Sequence, residues 1–264
     1  MLHPRNPRIW YLKKYGQLSR KYLYFHSLYG GKSMRFILSI VLLVVCLALP
    51  ANAAQPVPLR QALLNAAPDL NSQALDYALI ARANGVKEGV IKRQDILSII
   101  DYSLPSTQKR MWTFDLEKRR LLFHEFVAHG MNSGENRTVK FALPKDSHMS
   151  MYGLYVTDVP YIGKNGYSMR LKGLDKGYNH TAYDRAVVFH GAPYVNEQII
   201  RKHGRLGRSW GCPAVRKEIA TPMIDVMKHG SPLFAYYPDA NWLKNSRYLA
   251  NGQTAKPILR AGAK

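Results

Sequence analysis

Apolar residues change their spacing twice along this chain. From Asn71 onward, Ala74, Tyr77, Ala78 and Ala81 fall at i, i+3, i+4 and i+7, one face of a helix, and Leu75 and Leu79 widen that face. Asn71 or Ser72 is suited to cap its start, and Gly85 stands where a residue just past the C-terminus belongs. A shorter helix is expected over Leu59 to Ala66. From Ile96 the texture becomes short apolar runs separated by turn residues. The expected strands are Leu97–Tyr102, Met111–Phe114, Leu121–Ala128, Lys140–Ala142, Gly153–Val156, Tyr167–Leu171, Ala186–Phe189 and Pro232–Tyr237. Clusters such as Asn132-Ser133-Gly134-Glu135-Asn136 and Gly163-Lys164-Asn165-Gly166 punctuate them. One helix is expected from Thr221 to Lys228, and the tail after Asp239 reads as loosely structured. Many short strands with one or two helices define a mainly β barrel or sandwich, preceded by a short helical lead-in.

The longest apolar run, Phe36 to Leu49, lies outside this pattern. Arg35 precedes it, Pro50 ends it, and Ala51-Asn52-Ala53 supplies small residues at cleavage spacing. This is the layout of a secretory signal over 34–53. The run is short of the ~20 apolar residues a membrane span needs; an uncleaved anchor is the alternative. Val45 precedes Cys46, which argues against a lipid-modified cysteine. Residues 1–33, basic and rich in tyrosine, read as a start assigned too early or as a long basic leader. The expected organisation is therefore 1–33, a signal at 34–53, a helical lead-in at 54–95, a main β-rich domain at 96–240 and a tail at 241–264.

The chain of 264 residues carries a formal charge of +21. Such a balance favours polyanions, whether nucleic acid, anionic lipid or anionic wall polymer. Cleavage after Ala53 would remove eight basic and no acidic residues and leave 38 − 8 − 17 = +13. For an exported protein an anionic envelope polymer is the expected partner. No recognition-helix or zinc-finger pattern supports nucleic acid.

The same cleavage leaves Cys212 as the only cysteine, so an internal disulfide is excluded from the mature chain. A lone exported thiol is either buried and inert or used. Two segments bear on this. Ala186-Val187-Val188-Phe189-His190-Gly191 is an apolar strand ending in His-Gly, and Gly207-Arg208-Ser209-Trp210-Gly211-Cys212-Pro213-Ala214 surrounds the thiol. A thiol becomes a strong nucleophile beside a base or a positive charge. A histidine held at a strand end can be that base, with a backbone carbonyl to orient its ring. The Ser209-Trp210-Gly211-Cys212 run allows backbone N–H groups before and at the cysteine to stabilise an oxyanion. Gly211 permits close backbone approach, and Pro213 fixes the chain after the nucleophile.

His-Gly followed after a spacer by Ser-x-Gly-Cys resembles the signature of YkuD-type L,D-transpeptidases. Four further stretches resemble the murein L,D-transpeptidase catalytic branch of that family. They are Asp101-Tyr102-Ser103 with Pro105-Ser106, Val127-Ala128-His129-Gly130-x-x-Ser133-Gly134, Tyr178-Asn179-His180 to Arg185, and 207–214 itself. The resemblance spans about 95–240. It implies a β-rich YkuD-like fold, no cofactor, and peptidoglycan stem peptides as substrate. It implies Cys212 as the residue that forms a thioester on the third stem residue with loss of D-alanine, His190 as proton shuttle, and the Gly191 carbonyl as its orienting acceptor. An amine from a second stem would then give a 3→3 cross-link. Water as acceptor would make a carboxypeptidase, and a protein amine would make a wall-attachment enzyme. A binding module without activity is the alternative from another class. The commoner family pattern has His where Trp210 stands and Arg where Ala214 stands; Arg208 or Arg216 is positioned in sequence to replace that Arg.

Other residues are weaker candidates. His129 ends a second apolar strand and either lines the cleft or serves as a structural turn residue; Arg185 is a further substrate-binding candidate. His203 is a less suitable base than His190, because it lies in a basic, loop-like run, Arg201 to Arg205. Tyr152, Tyr155, Tyr161 and Tyr167 suit strand packing better than ligand stacking. Cys212, His190 and His203 lack the close paired spacing of a zinc site, and the sortase-type Thr-x-Thr-Cys pattern is absent.

Overall fold

The computed structural model describes residues 57–250. The expected signal, the segment before it and the last residues of the tail lie outside them. Two helices open the described region, α1 (Leu59–Ala66) and α2 (Ser72–Lys87). The side chain of Asn71 accepts the Gln73 N–H at 2.9 Å and caps α2. Ala74, Leu75, Ala78 and Ala81 are buried, as their spacing requires. Gly85 does not end the helix. It lies inside it, where a Cβ would stand 2.6 Å from the Ile91 side chain; close packing, not chain termination, selects glycine there.

The β residues form one eight-stranded mixed sheet. Its strands are β1 (Ile96–Asp101), β2 (Met111–Asp115), β3 (Arg120–Glu125), β4 (Gly153–Gly163), β5 (Gly166–Gly173), β6 (Val188–Ala192), β7 (Ala214–Arg216) and β8 (Pro232–Tyr236). The order is β3-β2-β1-β8-β4-β5-β6-β7. The β1–β8 and β6–β7 pairs are parallel and the others antiparallel. The chain leaving β3 reaches the far edge, where the Ala128 N–H donates to the Ala214 carbonyl at 2.8 Å. The sheet thereby closes most of the way into a barrel, which satisfies edges that would otherwise invite pairing. The mainly β expectation holds.

Several elements differ from expectation. β4 runs seven residues past Val156 because a bulge between Thr157 and Pro160 absorbs the proline, which has no N–H for the ladder. Its hairpin with β5 turns through Lys164-Asn165, with Gly166 at φ +75°. The stretch after Glu125 leaves β3, and Ala128 makes an isolated bridge to Ala214 of β7 instead. Lys140–Ala142 joins no strand; the Lys140 N–H donates to the Ser133 carbonyl and that of Ala142 to the Ser150 carbonyl, and Phe141 packs on the Tyr152 and Tyr237 rings. The basic run containing His203 is not a loop: Glu197–His203 is a helix, α3. The Asn196 side chain caps it, Gly204 ends it at φ +67°, and the basic residues fill its last turn, where they complement the helix dipole. A further helix, α4 (Lys217–Met227), starts four residues earlier than expected and carries Pro222 inside. The tail after Asp239 is ordered over α5 (Ala240–Asn245), and the Asp239 carboxylate caps it. Trp242 there is fully buried against Tyr152 and Phe234, and Tyr248 and Leu249 are also buried. That tertiary cluster, not local propensity, orders the segment. Among the described residues no helix is long and apolar enough to cross a membrane.

Candidate active site

The Cys212 loop is held by its own side chains. The Ser209 hydroxyl donates to the Cys212 carbonyl at 2.6 Å and accepts the Gly211 N–H at 3.1 Å. Gly211 has φ +113°, and a Cβ there would meet the Met149 carbonyl at 2.6 Å; no other residue fits. The Cys212 thiol is partly buried and accepts the Val188 N–H at 3.4 Å. Of the N–H groups expected to bind an oxyanion, that of Gly211 is therefore engaged by Ser209. The Cys212 N–H makes no hydrogen bond among the described residues.

β6 supplies the histidine. His190 is 4% exposed and pairs with Ala214 in the parallel β6–β7 ladder, which brings the strand end beside the cysteine loop. Its Nδ1 lies 3.0 Å from the Gly191 carbonyl. A carbonyl only accepts, so Nδ1 carries the proton and Nε2 keeps its lone pair. Burial pushes the His190 pKa below 6.5, against a smaller opposite effect of the Gly191 bond. Burial pushes the Cys212 thiol above 9, opposed by the Val188 N–H and by the Arg185 charge. The resting pair is thus a neutral thiol and a neutral imidazole, an arrangement suited to general-base activation of the sulfur.

The segment 127–134 braces this loop. The Ser209 N–H donates to the His129 carbonyl at 2.9 Å, and the Met131 N–H to the Ser209 carbonyl at 2.8 Å. The Gly130 N–H donates to the Ser150 hydroxyl, which reaches the Gly211 carbonyl at 3.4 Å. A Cβ on Gly130 would stand 2.4 Å from the His148 carbonyl. Behind the brace, Arg110 is fully buried and donates to the Val127 and Leu104 carbonyls, to Thr138 and to Nδ1 of His129. The His129 Nε2–H points to the Gly134 carbonyl at 3.2 Å. His129 is fully buried and its pKa is pushed down to about 4, first by burial and then by Arg110. It is absent from the lining of the cleft and lies instead between the bridges made by Ala128 and Gly130.

The thiol opens into a cleft of about 390 Å³ that His190 and Cys212 share with Arg185, Arg208 and Trp210. Arg185 donates to the Ala142 and Met149 carbonyls and has no carboxylate in an ion pair among the described residues. Arg208 ties the Met131 and Gly134 carbonyls to Glu135. Lys145 and Lys164 also line the cleft, against the single carboxylate of Asp146. The Trp210 ring stacks on His148 at 4.7 Å and 13°. Arg216 is elsewhere, paired with Glu125 through two hydrogen bonds of 2.7 and 3.0 Å; it does not take the place of the Arg that the commoner pattern carries. Tyr152 and Tyr155 are buried, the Tyr167 hydroxyl bonds Asp225, and Tyr161 is exposed, all outside the cleft.

Sequence reasoning missed Val188, Ser150, Arg110, His148, Lys145 and Lys164. Only Lys164 carried a signal, its place at a two-residue hairpin turn. The rest reach the site through contacts between residues distant in sequence.

A family of L,D-transpeptidase catalytic domains matches residues 66–236, and the chain belongs to that family. No curated protein matches the sequence. Among solved structures the chain is similar to the L,D-transpeptidase from Mycobacterium smegmatis, at 12% identity, with 54% of this chain and 59% of that one covered and a TM-score of 0.35. It is similar to L,D-transpeptidase 3 from Mycobacterium tuberculosis, at 12% identity, 54% and 61% covered and a TM-score of 0.34. The same holds for Bd1075 of Bdellovibrio bacteriovorus, at 13%, 55% and 50% with a TM-score of 0.34. The chain spans half to about three fifths of those proteins.

Proposed function

We propose that this protein is an exported cysteine L,D-transpeptidase of the cell envelope, acting on peptidoglycan stem peptides. The observation that carries the reading is Cys212 in one cleft with His190, whose Nδ1 is committed to the Gly191 carbonyl while Nε2 stays free. In the proposed reaction the Cys212 sulfur attacks the carbonyl carbon of the third stem residue, and Nε2 of His190 takes the thiol proton. The Cys212 N–H, unengaged among the described residues, stabilises the oxyanion. The C–N bond to the terminal D-alanine breaks, its amine leaves with the proton from His190, and a thioester remains. An amine from a second stem resolves it. Lys145, Lys164 and Arg185 favour a substrate rich in carboxylates. The signal-like segment at 34–53 supports export, and N-terminal sequencing of the exported protein tests it.

The central test incubates the purified protein with a disaccharide-tetrapeptide and reads products by mass spectrometry, with Cys212→Ala and His190→Ala alongside. A cross-linked dimer lacking one D-alanine, absent in both variants, is the expected result. Tripeptide alone assigns a carboxypeptidase that uses the same thioester. Unchanged substrate with no Cys212 adduct overturns the catalytic reading and leaves a binding module.

A further inference from the structure

The cleft presents a problem for the second substrate. The acceptor in the proposed reaction is an amine, an ammonium ion near neutral pH, yet Lys145, Lys164 and Arg185 line the cleft, and none of them has an ion pair among the described residues. Like charge disfavours entry over most of that surface. Two lining groups differ. Asp146 is the only carboxylate on the lining; its charge acts on Arg185, and its side chain makes no hydrogen bond or ion pair among the described residues. Trp210 is 69% exposed, a large apolar ring left uncovered two residues from the thiol. Its ring is not a loose side chain: His148 stacks on it at 4.7 Å.

The chain around this pair is held in costly backbone conformations. Asp146 and His148 both have left-handed φ, +62° and +52°, and non-glycine residues persist there only where their surroundings enforce it. Asn132 supplies part of that enforcement, its Nδ2 donating to the Ser147 carbonyl at 2.9 Å and its backbone N–H to the His148 carbonyl at 3.3 Å. Aspartate and histidine are among the side chains that tolerate this region best. Asp146 and Trp210 thus both line the cleft, and His148, two residues after Asp146, is the residue stacked on the indole.

We propose that Trp210 and Asp146 form the acceptor subsite, which receives the primary ammonium of the incoming amine by cation–π contact and charge pairing. The inference rests on the thioester reading above and deepens it. Indole is the best aromatic partner for a cation. The ammonium loses one proton to solvent and its nitrogen attacks the thioester carbon. The C–S bond breaks as an amide forms, and the second proton passes through His190 to Sγ and regenerates the thiol. The carboxylates of the donor stem are left to the cationic side of the cleft.

The test reads how the thioester partitions between amine and water, which cancels differences in its formation. Two acceptors are compared at neutral pH, an N-acetyl-lysine amide, which is charged, and an alkoxyamine, which is not. Trp210→Ala is expected to lower the aminolysis-to-hydrolysis ratio for the ammonium roughly 2- to 30-fold, the size of one cation–π contact. The ratio for the alkoxyamine should stay the same, Trp210→Phe should keep most of the ammonium preference, and Asp146→Asn should lower it less than Trp210→Ala. An equal fall for both acceptors, or no fall for either, overturns the subsite. If the wild type forms no thioester, the catalytic reading fails by itself. The subsite is then read by NMR titration of the Cys212→Ala protein with N-acetyl-lysine amide: weaker binding in the added Trp210→Ala variant supports it, and equal binding overturns it.

Discussion

Two apolar runs in this chain end in the same words, Phe126-Val127-Ala128-His129-Gly130 and Val187-Val188-Phe189-His190-Gly191. Both pair with β7 or its neighbours through Ala214. Their histidines nevertheless have opposite surroundings. His129 has both ring nitrogens occupied, one by Arg110 and one by the Gly134 carbonyl, and is sealed from the cleft. His190 has one nitrogen held and the other free at the cleft that contains the thiol. A histidine with both nitrogens satisfied is a structural crosslink, whereas one with a single nitrogen satisfied keeps a lone pair that the proposed reaction uses as its base. What separates them is the partner count, which the local sequence does not contain.

The contrast breaks most sharply at His190. His190→Ala is expected to lower kcat by roughly 10²- to 10⁴-fold, the range for loss of a positioned general base, while the melting temperature changes little; a comparable stability loss would place His190 with His129. His129→Ala should do the reverse. It leaves an Arg110 donor buried without an acceptor, a loss of about 1–3 kcal/mol, so the denaturant midpoint should fall far more than kcat. His129→Asn, which can still accept from Arg110, should restore part of it.

The pH dependence sharpens the comparison further. The folded pKa of His129, about 4, lies below the ordinary value of 6.5. Between those values the unfolded chain binds the extra proton and the folded one does not. Stability is therefore full above about pH 6.5 and declines as pH falls toward about 4, by at most ~3 kcal/mol. Denaturation curves across that window should be flatter in His129→Asn. Activity should follow His190 instead, with the acid limb of kcat/KM below pH 6.5 because burial lowers its pKa. An acid limb above 6.5 would contradict the buried neutral imidazole.

The smallest expected effect concerns the sulfur. The thiol sits above 9 through burial and is drawn down by Arg185. Alkylation by iodoacetamide should keep accelerating through pH 9, and Arg185→Gln should shift that profile to higher pH, because a guanidinium acting through charge favours the thiolate. A profile already flat at neutral pH would mean a preformed thiolate.

Much of the fold was legible because it is written in short-range patterns. Short apolar runs between turn residues marked seven of the eight strands, though with shifted ends, and the spacing of Ala74, Tyr77, Ala78 and Ala81 marked α2. Three elements escaped for definite reasons. β7 has three residues, too few for a period, and exists because β6 offers it a ladder. The seven-residue α3 carries its caps, Asn196 and Gly204, but buries none of its residues and so has no apolar stripe. The α5 tail depends on Trp242 finding an aromatic cluster built from Tyr152, Tyr178 and Phe234.

By itself the order of residues determined the mainly β class, the helical lead-in, the family, and Cys212 and His190 as the pair to examine, since each rests on residue type and spacing along the chain. Only the tertiary structure decided that His129 braces the loop while His190 faces the cleft. It likewise sent Arg216 to Glu125 and left Trp210 exposed at the rim. Those outcomes depend on which distant groups compete for each hydrogen bond and each buried space, and burial sets both the partners and the pKa values. Barrel closure brings Val188 and Ser150 against the cysteine loop and Arg110 against the segment that braces it, and no window of sequence spans that distance.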